Sequence, residues 1–161
     1  MALNYHYCVG HAKPMRTKSP INVRWNKPEM NWYKLNTDGS AIRNLGKTGG
    51  GGIIRDHNGG RISGFSKAIG IATSVEAELW ALRDGLKICS SLNLLAVEIE
   101  LDAKVVMDWV SENTTKNIAH FALISDCRQL MGQIPNLKVK HCYREANQCA
   151  NRLAKMGATQ Q

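Results

Sequence analysis

Three strand-like segments, joined by turns too short for a crossover, constrain the fold of this chain more than any other feature. Trp32 to Asp38 alternates, with Tyr33, Leu35 and Thr37 on one side and Trp32, Lys34, Asn36 and Asp38 on the other. A glycine run, Gly49-Gly50-Gly51-Gly52, leads into a second strand, Ile53-Ile54-Arg55-Asp56, and lacks the Lys-Ser/Thr that a phosphate loop requires. His57-Asn58-Gly59-Gly60 is an Asn-Gly hairpin turn that returns a third strand over about residues 61–67. Strands linked this tightly form an antiparallel meander.

The period then changes. Thr73-Ser74-Val75-Glu76 fits a capping box, and Val75, Leu79, Leu82, Leu86 and Cys89 follow at helical spacing, so a helix is predicted over about 74–92. Val97, Ile99 and Leu101 alternate with Glu98, Glu100 and Asp102 in a fourth strand, and Asp102 starts a helix with Val106, Trp109 and Val110 as its apolar stripe. Another helix, about 118–131, is expected to turn Phe121, Ile124 and Met131 inward, followed by a fifth strand over 137–142. A last helix starts near Asn147 and stops at Gly157, a suitable C-cap. The order predicts one α/β domain over residues 31–157. Its sheet is mixed: the three-strand meander plus two parallel strands added through helical crossovers, with flanking helices.

Residues 1–30 carry Pro14, Pro20 and Pro28 and an excess of basic side chains without periodicity, and they read as a poorly ordered tail or linker. A basic arm lying on a phosphate backbone is the functional alternative, and residues 158–161 read as a C-terminal tail. The net charge of +8, from 21 Lys and Arg against 13 Asp and Glu, implies attraction to polyanions. No apolar run approaches a membrane span and the start lacks a secretory pattern, so the expectation is an intracellular protein of cytoplasm or nucleus, by default a monomer. The five cysteines read as reduced thiols. Neither Cys142 with Cys149 nor His6-Cys8-His11 has the spacing of a zinc site.

In a basic protein, acids placed at element ends need a reason, and a divalent cation supplies one. Asp38 ends the first strand and Asp102 the fourth, on its polar side. Between them, Glu76 is explained by the capping box, while Glu78 lies on the margin of the buried stripe, where an acid is costly unless used. Glu78 is therefore assigned to the site. Asp102 also reads as the N-cap of the next helix. Glu98 and Glu100 read as exposed positions or partners for basic side chains. Gly39 lets the backbone turn close to whatever binds beside Asp38, with Ser40 next to it. Thr73 and Ser74 stand at a helix start suited to a phosphate. Asn147 is a further polar candidate, with helix N-capping the stronger role.

Lys34-Leu35-Asn36-Thr37-Asp38-Gly39-Ser40, the Gly49–Asp56 strand, Glu76-Ala77-Glu78-Leu79-Trp80-Ala81-Leu82, Leu101-Asp102-Ala103 and Arg144-Glu145-Ala146-Asn147-Gln148-Cys149-Ala150-Asn151-Arg152-Leu153-Ala154 occur in that order. Together they resemble the type 1 ribonuclease H domain, in the plant branch linked to non-LTR retrotransposon reverse transcriptases. The resemblance covers about residues 32–157. It implies a five-stranded ribonuclease H-like fold that cuts the RNA strand of RNA–DNA hybrids, with an Asp-Glu-Asp-Asp set holding two magnesium ions. Carried over, the first three acids are Asp38, Glu78 and Asp102. The fourth position is Asn151, where the family pattern has Asp, and a weakened metal ligand is expected there. Arg144-Glu145 also replaces the histidine that the best-studied members carry in the preceding loop.

The implied chemistry is phosphodiester hydrolysis, in which two Mg2+ ions about 4 Å apart activate water and stabilise the attacking and leaving oxygens. Asp38 would bridge both ions, Glu78 and Asp102 would together hold one, Asn151 would be a weakened ligand of the other, and Mn2+ could substitute. RNA would be selected through its 2′-hydroxyls. Set against an attenuated hydrolase is a catalytically weak or inert nucleic-acid-binding domain, which the Asn151 departure keeps open. A related acid-coordinated nuclease with another substrate is a third reading.

Overall fold

The computed structural model describes residues 23–43, 46–112 and 119–160 of the 161-residue chain. Its strands are β1 (Tyr33–Ala41), β2 (Lys47–Arg55), β3 (Arg61–Ile71), β4 (Ala96–Leu101) and β5 (Asn136–His141), ordered β3-β2-β1-β4-β5 in one sheet. The first three pair antiparallel, and β4 on β1 and β5 on β4 are parallel, as the order of periodic segments predicts. At the β2–β3 hairpin the Asp56 carboxylate accepts the backbone N–H groups of Asn58 and Gly60 at 2.9 and 2.8 Å, and Gly59 takes a φ of 83°.

Helix α1 (Ser74–Ser91) covers one face of the sheet. Its capping box is formed: Glu76 N–H donates to Thr73 Oγ1 at 3.2 Å and Thr73 N–H donates to the Glu76 carboxylate at 3.0 Å. Leu79, Leu82, Leu86 and Cys89 are buried against Leu35, Ile54, Val97 and Ile99. Helices α2 (Lys104–Ser111) and α3 (Phe121–Gly132) extend this layer through Val106, Val110, Ile124 and Cys127. Helix α4 (Gln148–Thr159) takes the opposite face, over β2. A Cβ at Gly51 would lie 2.3 Å from Ala154 N, and one at Gly49 2.1 Å from Ala158 N, so helix and strand meet backbone to backbone. No helix among the described residues is long and apolar enough to cross a membrane.

Several local expectations change. Strand β1 continues to Ala41, so Asp38 lies within it, because β2 keeps pairing as far as Ala41↔Thr48. The cap of α2 is Ala103, without a side-chain bond, so Asp102 precedes the cap rather than forming it. Phe121 is 53% exposed at the start of α3 instead of inward, and Ile118 lies outside the described residues. Gly157 does not stop α4: it sits inside the helix because its Cα packs on Lys67, whose carbonyl oxygen would be 2.4 Å from a Cβ. Of the two readings of Glu98 and Glu100, exposure fails, since both are buried, and partnership with basic side chains holds: Glu98 meets Lys34 and Lys140, and Glu100 meets Lys34.

Of the stretch assigned to the basic tail, residues 1–22 and the set His6-Cys8-His11 lie outside the described residues. Residues 23–30 lie against the sheet. Trp25 Nε1 donates to Asn36 Oδ1 at 2.9 Å, Arg55 stacks over the indole at 4.4 Å, and Lys34 Nζ donates to the Asn26 carbonyl at 2.6 Å. This strap covers part of the face that α4 leaves open, where Lys34, Asn36 and Asp38 project from alternate positions of β1.

Candidate active site

The site forms where β1 outruns its parallel neighbour. Pairing with β4 ends at Asn36↔Glu100, so the next residues of β1 have a free edge on that side. The Asn147 side chain occupies part of it, donating Nδ2–H to the Thr37 carbonyl at 3.0 Å. Asn147 is thus 1% exposed and makes no side-chain cap to α4, which corrects the capping role expected for it. It patches a strand edge that would otherwise leave a buried acceptor unpaired.

Asp38 projects from β1 into this notch, Glu78 enters from the second turn of α1, and Asp102 follows the last residue of β4. One carboxylate oxygen from each lies within 4.8 Å of the others. Gly39 makes the approach possible: a Cβ there would stand 2.3 Å from Glu78 N and 2.4 Å from Ala77 C, so only glycine lets α1 cross this close. Glu76, the competing acid, stays in the capping box and reaches His120 Nε2 at 3.5 Å.

Electrostatics sort the three acids. Burial, then a hydrogen bond with Asp38, then the charges of Asp38 and Asp102 push Glu78 well above the usual carboxylate range, against a smaller opposing pull from the Gly39 N–H. Asp102 is raised by burial and by Asp38, with Arg144 and Asn147 pulling the other way. Glu78 Oε2 is buried and has no hydrogen-bond partner among the described residues. A buried carboxylate oxygen beside two further carboxylates is a donor set for a hard cation, so Asp38, Glu78 and Asp102 fit a divalent metal ion.

Asn151 sits on α4 with Nδ2 donating to Asp38 Oδ2 at 2.7 Å. The amide thus meets the acid through its N–H. Ser40 is half-buried opposite Gly49, and Thr73 and Ser74 are exposed at the start of α1, one turn before Glu78. A recess of about 370 Å3 adjoins the acids and is lined by Glu78, Asp102, His141, Tyr143 and Arg144. Arg144 was visible in the sequence only as a departure from a family pattern. The Trp25–Asn36 contact had a weaker signal: a tryptophan between prolines in a stretch without periodicity.

A sheet of this order, with acids gathered at the free edge of β1, defines a ribonuclease H-like domain. It superposes on RNase H1 of the halophilic archaeon Halobacterium salinarum with a TM-score of 0.74 at 22% identity, over 78% of this chain and 96% of that one. LC11-RNase H1, isolated from compost by a metagenomic approach and solved in complex with an RNA/DNA hybrid, gives 0.72 at 26% identity over 78% and 96%. The chain belongs to the reverse transcriptase-like family, which it matches over residues 36–157. In sequence it is 32% identical over 132 residues to the Arabidopsis thaliana "Putative ribonuclease H protein At1g65750". That match takes in 82% of this chain but 21% of the relative, so the chain spans about a fifth of that protein's length.

Proposed function

We propose that this domain hydrolyses the RNA strand of RNA–DNA hybrids with the help of divalent cations, at a rate attenuated by Asn151. The observation that carries the reading is the convergence of Asp38, Glu78 and Asp102 within 4.8 Å, in the fold shared with a protein solved on an RNA/DNA hybrid. Asp38, Glu78 and Asp102 would hold the cations, Mg2+ or in its place Mn2+, with Asn151 as a weakened fourth position. Bound there, the cations would supply an activated water and charge stabilisation at phosphorus. The chain's own part is to fix the carboxylates. Gly39 holds Glu78 against β1, Asn147 ties Thr37 and steadies Asp102, and Asn151 orients Asp38. Thr73 and Ser74 stand exposed at an N-terminal helix end, where a substrate phosphate is favoured, and Gly39 and Ser40 border the same notch.

The Asn151–Asp38 hydrogen bond favours a second reading, a nucleic-acid-binding domain of weak or no catalysis, because it occupies an Asp38 oxygen. Cleavage of a labelled RNA–DNA hybrid with Mg2+ or Mn2+, beside double-stranded RNA and double-stranded DNA, separates the two. Hydrolysis confined to the hybrid's RNA, faster in Mn2+, is expected. Tight hybrid binding without cleavage under either metal leaves the binding reading.

A further inference from the structure

Among the described residues, the face of the sheet that carries α4 has three recesses which the acid cluster does not use; one of about 380 Å3, under the strap, holds Glu29, Glu98 and Glu100 with their lysine partners, and the other two are lined by arginine. Of these two, one, of about 290 Å3, lies between residues 23–25 and the start of α4 and is lined by Arg24 and Arg55. The other, of about 400 Å3, lies between the β2–β3 hairpin and α4 and is lined by Phe65, Arg61 and Arg152. Cys149 lines both, so together they make one groove along the first turns of the helix.

The charge in this groove is not neutralised internally. Lys34, Lys67, Arg83, Lys138 and Lys140 each meet a carboxylate, whereas none of the four groove arginines does so among the described residues. Glu145, at the rim of the recess of about 290 Å3, is the single acid lining either part of the groove. Arginines facing a concavity, with an aromatic ring beside them, are the chemistry that holds the phosphates and bases of one strand. The groove also connects with the acids: Asn151 faces Asp38, while the next residue, Arg152, lines the groove.

We infer that this groove binds a single-stranded nucleic-acid segment that continues from the hybrid held at the acid cluster. The phosphates lie on Arg24, Arg55, Arg61 and Arg152, and a base lies against Phe65. The inference rests on the hybrid-cleavage reading for the nature of the polymer, and it names a part of the substrate which that reading leaves out.

The test compares a blunt hybrid with hybrids carrying a tail of about ten nucleotides on either strand at either end. At low salt, at least one tail should raise the affinity of the protein about tenfold. Arg61→Gln/Arg152→Gln should remove most of that increment and reduce the salt dependence by about one to two counterions. Blunt-hybrid affinity, cleavage and melting temperature should stay unchanged. Arg61→Lys/Arg152→Lys should keep most of the increment, which separates lost charge from a disturbed fold. The inference is overturned if no tail raises the affinity, or if the Gln variant keeps the full increment. Tail-dependent binding by a protein that never cleaves the blunt hybrid would sink the hydrolytic reading and leave this one standing.

Discussion

The Asn151 amide donates its N–H to Asp38 Oδ2 at 2.7 Å, so the fourth position of the site meets its neighbour as a hydrogen-bond donor. An aspartate there would face Asp38 with a like charge. Without metal the asparagine therefore relieves a cluster in which Glu78 and Asp102 are already pushed up, by burial first and then by their acidic neighbours.

Asn151→Asp should make the metal-free protein less stable and the metal-bound protein more active. The change removes a hydrogen bond to a charged group, about 1.5–3 kcal/mol, and adds repulsion. In chelator the melting temperature should fall by roughly 4–10 °C, and Mg2+ should restore it. The added charge strengthens cation binding by about 1–4 kcal/mol, so Mg2+-dependent cleavage should rise tenfold or more. Cleavage that stays at the parental level would show that the missing charge does not limit this domain.

Glu78, with Asp102 acting in the same direction, makes the metal-free acid cluster pH-dependent. Its folded-state pKa lies above its ordinary value, so the folded form binds the extra proton and stability falls as pH rises through the raised pKa. Stability from this group is complete below the ordinary carboxylate range and is lost on the alkaline side. Glu78→Gln should flatten that decline and raise the melting temperature in chelator near neutrality by a few degrees, for a gain of about 1 kcal/mol. The same variant should abolish cleavage. Melting curves from about pH 5 to pH 8 test the sign.

Trp25 belongs to the stability of the domain. Truncating its half-buried indole removes the bond to Asn36 and the seat of Arg55, and Trp25→Ala should cost about 2 kcal/mol in urea unfolding. Deleting residues 1–30 should cost at least as much, since Trp25, Asn26 and the Lys34 contact go with it. Deleting residues 1–22 leaves every one of these contacts in place. An unchanged unfolding midpoint in Trp25→Ala would reduce the strap to a passive covering.

Gly51→Ala should loosen α4. The added methyl would stand 2.3 Å from Ala154 N, a clash with backbone that no rotamer relieves. A loss of about 2–3 kcal/mol is expected. Cleavage should fall as Asn151 is displaced from Asp38. A melting temperature equal to that of the parent would show that the helix yields freely.

Much of this arrangement was legible. The change of period from two to helical spacing found the five strands and four helices in order, although β2 takes in the glycine run back to Lys47 and β3 runs on to Ile71, and the capping box separated Glu76 from Glu78. The parts that were not legible depend on contacts across the chain. The extent of β1 past Asp38 follows from what β2 pairs with, and the burial of Glu98 and Glu100 follows from Lys34 and the strap over them. The glycine run announced a strand but not the reason for its composition, which is a helix more than ninety residues later. Asn147 carried a common capping signature, and its actual use, closing the edge of β1, is one that local sequence does not encode.

The backbone-on-backbone contact between α4 and β2 has a consequence for how this site can change. Most helix–sheet spacings can be tuned by exchanging one apolar side chain for a larger or smaller one. Here there is no side chain in the gap to exchange. The interval between α4 and β2 is set by main-chain atoms, so drift in the surrounding core reaches position 151 only weakly. What remains adjustable is the chemical character of the residue at that position, and Asp and Asn have nearly the same shape. Replacing one by the other changes the charge of the site while leaving its dimensions alone, which lets a single codon act on catalysis without a matching change elsewhere in the fold.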